Sequence, residues 1–329
     1  MYHSKITGLG YYVPNNVVTN DDLSKIMDTN DEWIQERTGI KERRHVSSLE
    51  DTTTSMGVKA AEIAIERSGV AKEDIDFIVF ATLSPDYYFP GPGVLVQRDL
   101  GLKTVGALDV RNQCSGFVYA LSVADQFIKT GMYKNVLVIG SEVHSRGLDF
   151  TTRGRGVSVI FGDGAGAAVL SRTEDTSKGI LSTHLHSEGQ HAEELSLMAP
   201  GMGKRWVTDI IKDNNPDDES YYPYMNGQFV FKNAVVRFSE VIMEGLQANN
   251  LQVSDIDMLI PHQANLRISQ FIQQKFKLTD DQVYNNIMKY GNTTAASIPI
   301  ALTEAWEQGK IKEGDLVVLA AFGSGFTWG

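Results

Sequence analysis

Cysteine is nearly absent: Cys114 is the only one in 329 residues. No intrachain disulfide can form, metal frameworks that need paired or fourfold cysteines are excluded, and a reducing cytoplasm fits best. Long apolar runs are missing as well. The longest, Val136 to Ile139 and Leu316 to Phe322, fall well short of the roughly 18 residues a membrane span needs, and residues 1–10 carry no apolar core of a secretory signal. Positive charge is in deficit, with 30 Lys and Arg against 41 Asp and Glu and a formal net charge of −11. Broad binding to nucleic acid or to an anionic membrane is therefore not expected, and any anionic ligand needs a local basic patch.

What is present is ample apolar material and a long-range repeat. Hydrophobic residues make up 42% of the chain, enough for a sizeable core, and 30 glycines provide for tight turns. The run Glu73-Asp-Ile-Asp-Phe-Ile-Val79 reads like Ser254-Asp-Ile-Asp-Met-Leu-Ile260, with Asp74 and Asp255 separated by 181 residues. The same offset carries Ala120-Leu121 onto Ala301-Leu302 and Val136-Leu-Val138 onto Val317-Val-Leu319. A helical stripe precedes each copy (Ala60, Ala61, Ala64, Ile65; Val241, Ile242, Gly245, Leu246), and a short apolar strand follows. Strands alternating with helices predict an α/β chain with mostly parallel sheets, and the repeat predicts two similar halves, 1–175 and 176–329. Residues 184–223 are polar and lack sustained periodicity, so an excursion beside the second half is expected there. The run from Phe161-Gly-Asp-Gly continues into an apolar strand, whereas Phe322-Gly-Ser-Gly stops at Gly329, so a final strand is expected to be missing.

Three polar residues fall at strand-to-helix turns. Cys114 follows the apolar stretch Val105 to Val110 and opens a stripe at Phe117, Ala120, Leu121, Ala124 and Phe127. The positive end of a helix favours thiolate, so a thiol there is expected below its usual value of about 8.5; the ordinary alternative is a small buried hydrophobe. His262 follows the strand Asp257-Met-Leu-Ile260, with a satisfied structural imidazole as its ordinary alternative. Asn292 precedes a helix containing Ile298, Ala301, Leu302 and Ala305, where a helix cap would be the ordinary role. Ligands of open α/β sheets bind beyond the carboxyl ends of strands, so the three could share one pocket. A thiol that carries an acyl group, with an imidazole and an amide that hold an enolate oxygen, suits thioester carbon–carbon bond formation. A cysteine hydrolase uses the same residue types, and the sequence does not separate the two geometries.

Seven segments in order extend this. They are Gly8-Leu-Gly-Tyr-Tyr-Val-Pro14, Asp31-Glu-Trp-Ile-Gln-Glu-Arg-Thr-Gly-Ile40, Gln113-Cys-Ser-Gly-Phe117, Phe161-Gly-Asp-Gly-Ala-Gly166, Pro261-His-Gln-Ala-Asn265, Gly291-Asn-Thr-Thr294 and Phe322-Gly-Ser-Gly-Phe-Thr-Trp-Gly329. With them the chain resembles, over nearly its whole length, the β-ketoacyl-acyl-carrier-protein synthase III family of thiolase-fold condensing enzymes. The resemblance implies a duplicated, five-layered αβαβα fold and a homodimer. It implies that Cys114 takes an acyl group from acyl-CoA, that the backbone N–H groups of Cys114 and Ser324 form an oxyanion hole, and that His262 and Asn292 stabilise the enolate formed when malonyl-acyl-carrier-protein loses CO2. It implies no cofactor and no metal, since decarboxylation supplies the carbanion. It further implies that Trp33, Arg37, Arg155, Asn265 and Arg267 hold CoA, that Arg267 with Lys275 docks the acidic carrier protein, and that Phe89 crosses a dimer interface toward the neighbour's pocket. Asn112, Gln113 and Ser115 depart from the small residues common around the nucleophile, so the starter acyl group is left open.

Other readings compete with this one. Gly162-x-Gly164-x-Gly166 resembles a phosphate-binding loop, but its spacing is wrong and an apolar strand follows it. His184, His186, Glu188, His191, Glu193 and Glu194 could bind zinc, although no H-E-x-x-H run occurs. A non-catalytic acyl-CoA or carrier-protein binding module is disfavoured by the joint presence of Cys114, His262 and Asn292. Condensing enzymes of polyketide, quinolone or head-to-head long-chain synthesis share those residues.

Overall fold

A computed structural model describes the chain except residues 1, 202–207, 209–211, 213–214 and 216, so that much of the 184–223 segment lies outside the described residues. The first half holds a five-stranded sheet of β1 (His3–Tyr12), β2 (Phe77–Ala81), β3 (Gly106–Val110), β4 (Asn135–Glu142) and β5 (Gly164–Thr173), in the order β1-β5-β4-β2-β3. β4–β2 and β2–β3 pair in parallel, while β5 runs antiparallel to both its neighbours. Every residue of β4 is buried, as a strand covered on both faces requires.

Side-chain alternation along these strands sets the layers. Ile78, Phe80, Leu137 and Ile139 point to one face and pack on helix α1 (Thr53–Ser68). Val79, Val136 and Val138 point to the other, where they meet two helices, α2 (Gly116–Lys129) and α5 (Ser297–Glu307). Those helices also receive Met258 and Ile260 from strand β7 (Met258–Pro261) of the second half. Leu259 of β7 points away, toward helices α3 (Gly227–Ala248) and α4 (Leu266–Phe276). Helix, sheet, helix pair, sheet, helix pair is the αβαβα order.

The 181-residue offset holds in three dimensions. The parallel pair Phe77↔Val136 of β2 and β4 maps onto Met258↔Val317 of β7 and β8 (Val317–Ala320). The 3₁₀ turn Lys72–Asp74 maps onto Val253–Asp255, the turn Gln113–Ser115 onto Thr294–Ala296, and the start of α2 at Gly116 onto the start of α5 at Ser297. Even the backbone anomaly repeats, because Gln113 and Thr294 both adopt left-handed conformations, with φ of 44° and 51°.

One expectation needs correcting. The 184–223 segment does not simply stand beside the second half, because strand β6 (His186–Ser187) joins its sheet. β10 (Thr327–Trp328) lies between β6 and β9 (Phe322–Gly323) just as β5 lies between β1 and β4, and Gly329 exchanges both backbone hydrogen bonds with Ala321. A cavity of about 840 Å³ lies between residues 177–185 and Val317–Leu319, and it is lined by none of Cys114, His262 and Asn292.

Candidate active site

Cys114 sits in the turn Gln113–Ser115, between the end of β3 and the N-terminus of α2, and keeps 7% of its surface exposed. Gly323 closes over it. A Cβ added to Gly323 would lie 2.6 Å from Sγ and 2.3 Å from the cysteine Cβ, so only glycine fits. The backbone N–H groups of Ser324 and of Cys114 itself favour the thiolate. Burial nonetheless pushes the thiol up to about 12, with the charge of Glu142 adding to the rise. This reverses the expectation drawn from the helix end: in the empty site desolvation outweighs the helix terminus, and the thiol is protonated at rest.

Glu142, at the end of β4, is fully buried and is raised to about 7 by that burial. Thr82 and Ser84 hydroxyls and the N–H groups of Leu83, Ser84 and Ala295 all donate to it. It thereby ties the loop after β2 to the turn Thr294–Ala296, the counterpart of the cysteine turn.

His262 follows β7 directly and is anchored through its own N–H to Ala320 O at 2.7 Å. Its Nδ1 lies 2.6 Å from Ser297 Oγ, while Nε2 is buried with no hydrogen-bond partner. Burial, with His144 as a second influence, holds the imidazole down at about 3, so the ring is neutral at pH 7. Asn292 is also buried, and its Oδ1 accepts from Thr294 N–H at 2.8 Å, leaving the Nδ2 hydrogens to serve a ligand. Its backbone is clasped on both sides, Asn292 N–H donating to Ile160 O and Gly162 N–H to Asn292 O. The glycine of Phe161-Gly-Asp-Gly serves this approach, since a Cβ on Gly162 would sit 2.2 Å from Tyr290 O. Backbone proximity, not phosphate binding, accounts for that motif.

The predicted trio is brought together. The cysteine turn packs on the turn Thr294–Ala296, with a Cβ at Gly116 falling 3.4 Å from that of Ala295. Asn292 bonds to the first residue of the latter turn, and His262 bonds to Ser297 just after it. Sequence reasoning passed over Ser297, Thr294, His144, Glu142 and Gly323. The repeat offset carried a signal for two of them, since Thr294 is the counterpart of Gln113 and Gly323 that of Glu142.

A second cluster gathers four of the predicted CoA residues. The Arg37 guanidinium lies 4.5 Å from the Trp33 ring centroid and Arg155 lies 5.5 Å from the same ring. Asn265 Nδ2 donates to Arg37 O, and Asn265 Oδ1 caps α4 at Arg267 N–H. Arg267 and Lys275 are exposed along α4, with Arg267 6.0 Å from the Phe231 ring. Phe89 is 81% exposed beside exposed Tyr87 and Tyr88. The histidines of the zinc alternative are otherwise engaged: His184 and His186 both hydrogen-bond to Glu244, and Glu188 pairs with Arg237. Among the described residues no group of three or more His, Cys, Asp or Glu is arranged to hold a metal ion, and no helix is long and apolar enough to cross a membrane.

Comparisons with known proteins agree with this geometry. Residues 108–189 match the family model "3-Oxoacyl-[acyl-carrier-protein (ACP)] synthase III", and residues 246–329 match its C-terminal counterpart. The chain is 46% identical to the β-ketoacyl-[acyl-carrier-protein] synthase III of Sulfurimonas denitrificans, over all of this chain and 97% of the relative. It is 47% identical to that of Serratia proteamaculans, over 99% of this chain and 98% of the relative. Among solved structures, 3-oxoacyl-[acyl-carrier-protein] synthase III from Aquifex aeolicus superposes with a TM-score of 0.89 at 45% identity, covering 99% of this chain and 97% of that one.

Two predictions follow from the site itself. Gly323→Ala will crowd Sγ and slow alkylation of Cys114 by iodoacetamide at least about tenfold, while circular dichroism stays that of the parent; unchanged alkylation would contradict the close packing. Buried neutral imidazoles contribute stability that is complete above about pH 6.5 and is lost as pH falls toward the folded values, about 4 for His144 and about 3 for His262. Nitrogen-15 NMR of labelled protein will therefore show both rings neutral at pH 6, and a transition near 6.5 for either would count against the burial.

Proposed function

The chain belongs to the 3-oxoacyl-[acyl-carrier-protein] synthase III family, and on that premise we propose how its residues divide the decarboxylative condensation of an acyl-CoA starter with malonyl-acyl-carrier-protein that begins fatty-acid synthesis. In the first half-reaction the Cys114 sulfur attacks the thioester carbonyl of acyl-CoA. The carbonyl oxygen takes negative charge between the N–H groups of Cys114 and Ser324, both of which act on the sulfur. The C–S bond to CoA breaks, and free CoA leaves with the proton that the buried thiol gave up.

In the second half-reaction the malonyl thioester loses CO2, and its electron pair becomes an enolate. Ser297 Oγ lies 2.6 Å from His262 Nδ1 and accepts from Gln263 N–H; with its own hydrogen assigned to Nδ1, Nε2–H is the donor to the enolate oxygen, beside Asn292 Nδ2. The carbanion attacks the acyl-Cys114 carbonyl, a carbon–carbon bond forms, the C–S bond breaks and the cysteine thiolate takes a proton from solvent, replacing the one that left with CoA. The β-ketoacyl thioester stays on the carrier. A neutral imidazole suits this role, because it donates without itself needing to be deprotonated. The observation that carries the reading is His262 Nε2, a buried ring nitrogen with nothing to bond, next to an amide whose oxygen is already occupied.

The stacked Trp33, Arg37 and Arg155, with Asn265 and Arg267, form the seat for CoA, the guanidinium groups meeting its phosphates and the indole its adenine. Arg267 and Lys275 supply the basic face for an acidic carrier protein on a chain whose net charge is −11. Phe89 reaches the neighbouring protomer of a homodimer. The single free thiol fits a cytoplasmic enzyme. None of these steps calls on a cofactor.

Separate assays of the two half-reactions test the division. Cys114→Ala is expected to form no acyl-enzyme yet still release CO2 from a malonyl thioester. His262→Ala and Asn292→Ala are expected to acylate normally and to lose about 10²-fold or more in condensation. Overall condensation by Cys114→Ala protein would refute the assignment.

A further inference from the structure

His144 lies outside the trio, yet it is built into the same frame. It follows β4 by two residues, and its backbone N–H donates to Asp163 Oδ1 at 2.6 Å. Asp163 is fully buried and also receives Val46 N–H, Ser145 N–H and the Ser145 hydroxyl, so the backbone at 144 is fixed. The imidazole lies against the Phe161 ring, with centroids 4.7 Å apart. Phe161 belongs to the Ile160–Gly162 run whose flanking backbone groups clasp Asn292. From that seat His144 Nε2 reaches Thr294 Oγ1 at 2.6 Å.

Thr294 needs such a tether. It is β-branched and held at φ 51°, a region that branched residues avoid. In the same residue the N–H falls 2.8 Å from Asn292 Oδ1. That bond decides which end of the Asn292 amide is used up: with the oxygen engaged, the NH2 is left for a ligand, whereas a freed side chain could turn and offer the oxygen instead. An acceptor presented to an enolate oxygen would repel it.

We propose that His144 is a positioning residue for the malonyl half-reaction: it pins Thr294 in the left-handed conformation, and Thr294 in turn holds the Asn292 amide with its hydrogens toward the enolate. The inference rests on the enolate role given to Asn292 above. Acyl transfer to Cys114 makes no use of Asn292, so it is indifferent to His144. Burial lowers the His144 ring to about 4, which keeps the link between neutral partners across the working pH range.

The test measures each half-reaction in His144→Leu, His144→Gln and Asn292→Ala proteins and in the His144→Leu/Asn292→Ala double variant. Cys114 acylation by acyl-CoA is followed by rapid-quench mass spectrometry, and CO2 release by radiolabelled malonyl-CoA. His144→Leu is expected to acylate within about twofold of the parent while kcat for CO2 release and condensation falls about tenfold to 10²-fold. His144→Gln, whose amide can reach the Nε2 position, is expected to recover most of that loss. The double variant is expected to be no slower than Asn292→Ala alone, because an amide that is gone cannot be misplaced. Acylation slowed to the same degree as CO2 release, or losses that multiply in the double variant, would overturn the positioning role. Should Asn292→Ala itself leave CO2 release intact, the enolate reading fails, and this inference with it.

Discussion

Everything in the site depends on a dry contact between two related turns. Gln113–Ser115 and Thr294–Ala296 occupy equivalent places in the two halves and pack on each other where the two inner helices begin. Small groups at Gly116, Gly140, Ala295 and Gly323 allow the approach; a Cβ on Gly140, for instance, would stand 2.3 Å from Ala295 O. The consequence is electrostatic. Excluding water raises the thiol and the Glu142 carboxyl and lowers the imidazoles of His144 and His262, so that all four groups favour their neutral forms. A site that disfavours resting charge on the thiol and on both imidazoles places its fixed N–H donors where charge develops only during reaction, and those donors require no rearrangement when it does.

Duplication explains how such a site arises from ordinary parts. Each half offers a turn of the same shape at the same point of the fold, but they have been put to different uses. At the position of Cys114 the second half has Ala295, whose N–H is bound by Glu142; at the position of Glu142 it has Gly323, which makes room for the cysteine. One turn carries the nucleophile, and the other, with Asn292 before it and Ser297 after it, organises the groups that receive the second substrate.

Much of this was legible in the sequence, for physical reasons. The repeat and the strand–helix alternation are periodic signals, and they led to an α/β chain of two similar halves; the five-layered order came from the resemblance carried by the seven segments. Cys114 and His262 stood out because each follows an apolar strand, and Asn292 because it precedes an apolar helix. The reversed thiol was not legible, since the helix end is a local feature whereas burial depends on tertiary packing, including the close approach of Gly323 from the far end of the chain. The link from His144 to Thr294 spans 150 residues and involves no motif. Strand β6 falls where the alternation of His184 and His186 pointed to a polar surface strand, but its place in the sheet of the second half carried no signal in the sequence. The zinc alternative rested on spacing alone, and the structure spends both histidines on Glu244, a residue outside that cluster.

A single sulfur must therefore serve both half-reactions in turn, receiving the acyl group and then surrendering it. Intact-protein mass spectrometry of the unaltered enzyme follows that cycle directly. With acyl-CoA alone, each chain is predicted to gain the mass of one acyl group, located on the peptide containing Cys114, and subsequent addition of malonyl-acyl-carrier-protein is predicted to return the chain to its original mass as the β-ketoacyl product appears. Product formed at full rate with no acyl group ever carried on that peptide would contradict the account.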